Sequence, residues 1–207
     1  MQTLFSPDSR FMQAMSRIGD LLILNGLFLI SCVPVVTIGA AVTALYTVCF
    51  RFGTQRETGL VKSYFQAFRE NFRQATALWL ILLLWGGCAG VNVLLFYGMG
   101  GMVRFAALPF GILLVLALFM AGLVFPLLSQ FHTGTRDALK NSMILSLGYL
   151  PRSVLVTAVN MLPLGILLTD TILFFQLGFV WVALYFSAGA WLNCLILKKV
   201  FAPYQTE

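Results

Sequence analysis

The chain has 207 residues, of which 60% are hydrophobic and only 10% charged, with a net charge of +6. A soluble domain carries about 25% charged residues. A mean hydropathy of +0.93 therefore excludes both an ordinary soluble domain and a disordered chain. The few charges are also segregated, because residues 21–50, 74–103, 105–135, 153–169 and 171–197 contain none. Each stretch can hold at least one helical crossing, which takes about 17–25 residues.

In chain order, the stretch 21–50 is too long for one crossing. Its 30 residues would extend about 45 Å as a helix, against an apolar slab of about 30 Å. Pro34 divides it, since proline lacks the backbone donor and Val33 before it avoids helical geometry. Helices are expected at 13–33 and 36–52. The second is short, so a hairpin that only partly penetrates is the alternative to two full crossings. A third helix is expected at 74–97, followed by a turn through Gly98, Gly100 and Gly101. The remaining helices are expected at 105–130, at 149–169 with a kink at Pro163, and at 172–197. The reading is all-α: a single domain over 1–207, a polytopic membrane helix bundle of six transmembrane helices.

The charges test that count. With six crossings, every one of the 13 basic residues except Arg104 falls on the side of both termini. Lysine and arginine are retained on the cytoplasmic face, which predicts a bacterial cytoplasmic (inner) membrane protein with both termini cytoplasmic. Counting 21–50 as one crossing destroys this asymmetry. The positive net charge follows from the same bias, so no nucleic-acid partner is expected. Membrane lipids are the expected partners of the basic loops.

Two cytoplasmic segments have helical periodicity. Over 60–73, Val61, Phe65, Phe68 and Phe72 form a stripe opposite Lys62, Gln66, Arg69 and Arg73. Over 136–147, Leu139, Met143 and Leu147 do so more weakly. Both read as amphipathic cytoplasmic helices suited to the membrane interface. Thr58-Gly59 and Thr133-Gly134 open these segments at an offset of 75 residues, which suggests a repeated hairpin unit. Basic flanks common to all membrane hairpins are the simpler explanation.

Chemical machinery is sparse. His132 is the sole histidine, and Cys32, Cys49, Cys88 and Cys194 are scattered through four apolar helices. No metal-binding spacing, nucleophile elbow, phosphate loop or paired carboxylate occurs, so neither an enzyme nor a metal or cofactor is expected. Leu29-Ile30-Ser31-Cys32 matches a lipobox, but Asp20 interrupts the N-region and the chain after Cys32 stays apolar, which disfavours cleavage there. Asp20 is also a candidate for an ion pair with Arg17, Arg51 or Arg73. Gly39 with Thr43, and Ala40 with Ala44, form small-residue rows that let a neighbouring helix approach. Asn25, Asn92, Asn160 and Asn193 each fall in a different helix. Amides in hydrocarbon need partners, so these four predict cross-helix hydrogen bonds or, alternatively, the lining of a polar cavity.

The stretch from Asn25 through Cys32-Val33-Pro34-Val35-Val36-Thr37-Ile38-Gly39-Ala40 to Thr43-Ala44-Leu45-Tyr46 resembles the opening signature of the YesL-like family of bacterial membrane proteins. So does Phe65-Gln66-Ala67-Phe68-Arg69-Glu70-Asn71-Phe72-Arg73-Gln74-Ala75-Thr76-Ala77-Leu78-Trp79. The family has no established activity, and the resemblance implies a membrane component linked to carbohydrate use. It supplies no catalytic residues. Asn71, Arg73 and Gln74, where the amphipathic helix meets the third crossing, and Thr37, Gly39 and Thr43 become the candidate partner or ligand surface. The leading expectation is a non-enzymatic accessory or assembly component of a carbohydrate permease, with a permease subunit as partner. The alternative is a small-solute transporter or channel with a cavity lined by the four asparagines.

Overall fold

The computed structural model describes residues 10–52, 59–99, 101–131 and 133–204; Arg56, Thr58 and His132 lie outside them. The described residues form helices and no strand, an all-α bundle as the hydropathy pattern requires. Five helical stretches are long and apolar enough to cross a membrane: Met15–Cys32, Leu60–Met99, Gly101–Gln130, Leu150–Thr169 and Gly178–Tyr204. The apolar helix between the first two of these, Val35–Arg51, is shorter.

Helix α1 (Arg10–Cys32) stops where the sequence demands it. Pro34 is extended, with φ −79° and ψ 116°, and a single 3-10 turn, Val35–Thr37, leads into α2 (Ile38–Arg51). At 14 residues, α2 extends only about 21 Å. Despite its length it is the centre of the molecule. Its residues from Gly39 to Phe50 are buried apart from Val42, and it packs against α1, α3 (Leu60–Met99), α4 (Ala107–Gln130) and α9 (Phe186–Phe201). Small residues make this possible, since Gly39, Ala40, Ala41 and Ala44 let neighbours approach from several sides.

The expected boundary between 60–73 and 74–97 is absent. Leu60–Met99 is one helix of 40 residues, about 60 Å long. No glycine or proline lies between Leu60 and Trp85, so nothing in the chain ends the helix at Arg73. The aromatic stripe is not the buried face either. Ser63, Tyr64, Ala67 and Ala75 turn inward, while Val61, Phe65 and Phe72 stay exposed. The same shift recurs in α5 (Thr135–Gly148), where Ala138, Ser142, Leu145 and Ser146 are buried and Met143 and Leu147 exposed.

The last expected crossing is interrupted. After α6 (Leu150–Thr169), Asp170 caps α7 (Thr171–Gln176) by accepting from the Leu173 amide at 3.0 Å. A turn at Leu177, the short α8 (Gly178–Val180) and a π-helical segment, Trp181–Tyr185, then lead into α9. Beyond Trp79, α3 runs along α4, with Gly86 opposite Ala117 and Phe96 stacked on Phe110. These outer halves, like those of α6 and α7, are apolar yet exposed; Leu94, Ile112, Leu168 and Phe179 are 70–83% accessible. Such surface suits acyl chains rather than water.

Candidate functional site

Three polar constructions lie inside the bundle, each built around a break in a helix. The first is the α1–α2 turn. The Thr37 hydroxyl reaches the carbonyls of Ser31 at 2.6 Å and Pro34 at 2.7 Å, and the Trp79 indole donates to the Val35 carbonyl at 2.9 Å. These donors satisfy carbonyls that the proline break leaves without helical partners. Gly39 sits against α3 so closely that a Cβ there would stand 2.4 Å from the Ala75 carbonyl oxygen and 2.7 Å from Trp79 Cβ. Thr43, wholly buried, returns its hydroxyl to the Gly39 carbonyl at 2.9 Å.

The second is the π-helical segment. A π turn widens the helix and leaves backbone groups unpaired. Asn25 of α1 supplies both kinds of partner. Its Nδ2 donates to the Val182 carbonyl at 2.6 Å and the Trp181 carbonyl at 3.3 Å, and its Oδ1 accepts from the Ser187 amide at 3.0 Å. The Ser187 hydroxyl donates to the Leu21 carbonyl at 2.8 Å, closing the contact from the other side. Tyr185, within the π segment, donates in turn to the carbonyl of Val159. That carbonyl is the one Pro163 cannot serve, four residues on. Replacing Tyr185 by Phe is expected to cost about 1–2 kcal/mol, because the orphaned carbonyl has no water to turn to; thermal unfolding of the purified protein would measure it.

The third joins α2, α6 and α9 near the middle of the molecule. Asn193 is wholly buried, and its Nδ2 donates to Tyr46 Oη at 3.0 Å and to Asn160 Oδ1 at 2.9 Å. Thr157, one turn before Asn160, borders Gly122 of α4. Of the four asparagines expected to act together, only Asn160 and Asn193 meet. Asn25 belongs to the π clamp. Asn92 donates to the Cys88 carbonyl of its own helix at 2.8 Å.

The candidate surface residues divide likewise. Asn71 bonds back to the Ala67 carbonyl at 3.0 Å, and Gln74 donates to the Thr133 carbonyl, tying α3 to the entry of α5. Arg73 alone of the six is exposed. Thr157, Tyr185 and Ser187 had no signal in the sequence beyond being polar residues in apolar runs. Among the described residues no group of three or more His, Cys, Asp or Glu side chains is placed to hold a metal ion. Cys49 and Cys194 are buried free thiols.

The first construction and the clamp's Asn25 fall within a recognisable segment. Residues 21–93 match the family model described as protein of unknown function, DUF624. The matched segment contains α2 whole, with most of α1 and α3, so it covers the Pro34 break, the Gly39 contact and the docking side of the π clamp. No curated protein and no solved structure matches the chain.

Proposed function

We propose that the chain is a YesL-like, non-enzymatic accessory or assembly component of a membrane complex linked to carbohydrate uptake, resident in the bacterial cytoplasmic membrane with both termini inside. The single observation that carries this reading is the disposition of the intramembrane amides. Asn25 and Asn92 spend their hydrogen bonds on backbone, and Asn193 on Tyr46 and Asn160, rather than lining one pathway. Meanwhile the outer halves of α3, α4 and α6 present long apolar faces, suited to acyl chains or a partner's helices. The carbohydrate link rests on the sequence resemblance, and the orientation on the distribution of basic residues.

Gentle solubilisation from native membranes and native mass spectrometry of the tagged chain tests the assignment. A permease subunit travelling with it at fixed stoichiometry is the expected result; a lone chain or a homo-oligomer in every preparation would overturn it. The meeting of Asn160 and Asn193 keeps transport as the second reading. Under that reading, Asn160→Leu would abolish solute uptake while leaving the amount of folded protein unchanged.

A further inference from the structure

The Tyr46–Asn160–Asn193 node is incomplete. Asn193 Oδ1 is buried without a hydrogen-bond partner, and so is Thr157 Oγ1. The deficit at Asn193 does not depend on how its amide is oriented. Both of its bonds leave from one atom, so exchanging oxygen and nitrogen only transfers the vacancy to Nδ2. Thr157 is equally unusual. Thr43, Thr47 and Thr169 each return their hydroxyl to the carbonyl four residues earlier. Thr157 makes no such bond.

The space beside it is shaped by Gly122 and Pro126 of α4. Pro126 deprives the Gly122 carbonyl of its in-helix donor. A Cβ on Gly122 would stand 3.4 Å from Thr157 Oγ1 and 3.9 Å from Asn160 Nδ2, ordinary contact distances, so room for about one methyl-sized group is left there. Every side chain of the node is neutral, and the unpartnered atoms include an acceptor, Asn193 Oδ1, and a hydroxyl able to donate or accept, Thr157. A group that completes them must also donate and accept, and it must be uncharged, because an ion this far from water is expensive.

We infer that Tyr46, Thr157, Asn160 and Asn193 form a binding site for a neutral hydroxyl group, carried either by a bound water or by a small uncharged polyol. A hydroxyl is small enough for the space at Gly122 and has the two-way hydrogen bonding the node lacks. The inference is independent of the accessory role, since a structural water and a solute would each complete the node.

Thr157→Val tests it in the full chain, reconstituted in nanodiscs and free of glycerol. The substitution keeps the shape and removes only the hydroxyl. If Thr157 is bonded to a bound hydroxyl, the midpoint of thermal unfolding falls by about 3 °C. If it is truly unpaired, removing a buried polar atom leaves the midpoint unchanged or raises it. Saturation-transfer NMR with glycerol and with methyl glucoside, on wild type and variant, separates the sources. A saturable signal lost in the variant identifies a solute, and a lowered midpoint with no solute signal identifies water. A variant at least as stable as wild type, with its solute signals unchanged, overturns the site.

Discussion

Gly39→Ala is expected to destabilise the protein by about 3 kcal/mol or more, at the upper end of what overpacking costs. The added methyl would meet the Ala75 carbonyl oxygen at 2.4 Å and Trp79 Cβ at 2.7 Å. Neither can swing aside, since one is helix backbone and the other the first atom of a side chain. Relief requires α2 to move away from α3. That would strain the Trp79 bond to the Val35 carbonyl and part the tightest helix pair in the bundle. Gly87→Ala on α3 is the control, because a Cβ there meets nothing within 4 Å. It should leave stability unchanged or raise it by about 0.5–1 kcal/mol through helix propensity. Thermal unfolding of both variants in one detergent measures the contrast, and equal behaviour would refute the close α2–α3 approach.

How much of this was legible in the sequence depends on the physics of each feature. The helix-only architecture, the break at Pro34 and the close approach at Gly39 all follow from residue types whose backbone constraints are local. The length of α3 was misjudged for a related reason. Charge marks where hydrocarbon ends but does not end a helix, so Arg73 was read as a boundary when no breaker stands there. The buried faces of α3 and α5 were displaced from the aromatic and aliphatic stripes because, in a bilayer, large apolar side chains gain little by turning inward. Small residues such as Ser63, Ala67, Ala138 and Ser142 allow close packing instead. Asn160 and Asn193 were flagged as amides needing partners, but which amides meet depends on helix crossings that no local pattern encodes. The π segment was invisible: Trp181–Tyr185 contains neither glycine nor proline, and its partner Asn25 lies 156 residues earlier than Trp181.

That pairing carries the second large effect. Asn25→Leu, nearly isosteric, is expected to cost about 3–5 kcal/mol. It removes one side chain but orphans three backbone groups: the carbonyls of Trp181 and Val182 and the amide of Ser187. Each unpaired buried group costs about 1–3 kcal/mol, and no water in the hydrocarbon region stands ready to replace the amide. The direction of the defect is informative. If the π turn exists because Asn25 stabilises it, the variant should lose it, rotating Thr171–Val180 relative to α9 and breaking the Tyr185 bond to the Val159 carbonyl. Hydrogen exchange would then rise at Pro163 and its neighbours on α6 as well as along Trp181–Ser187, although α6 itself was not altered. If instead packing of the aromatic cluster Phe174, Trp181 and Tyr185 imposes the π turn, exchange would rise at Ser187 alone and the stability loss would stay near 1 kcal/mol. The two outcomes decide whether the α1 segment merely touches this helix or sets its shape.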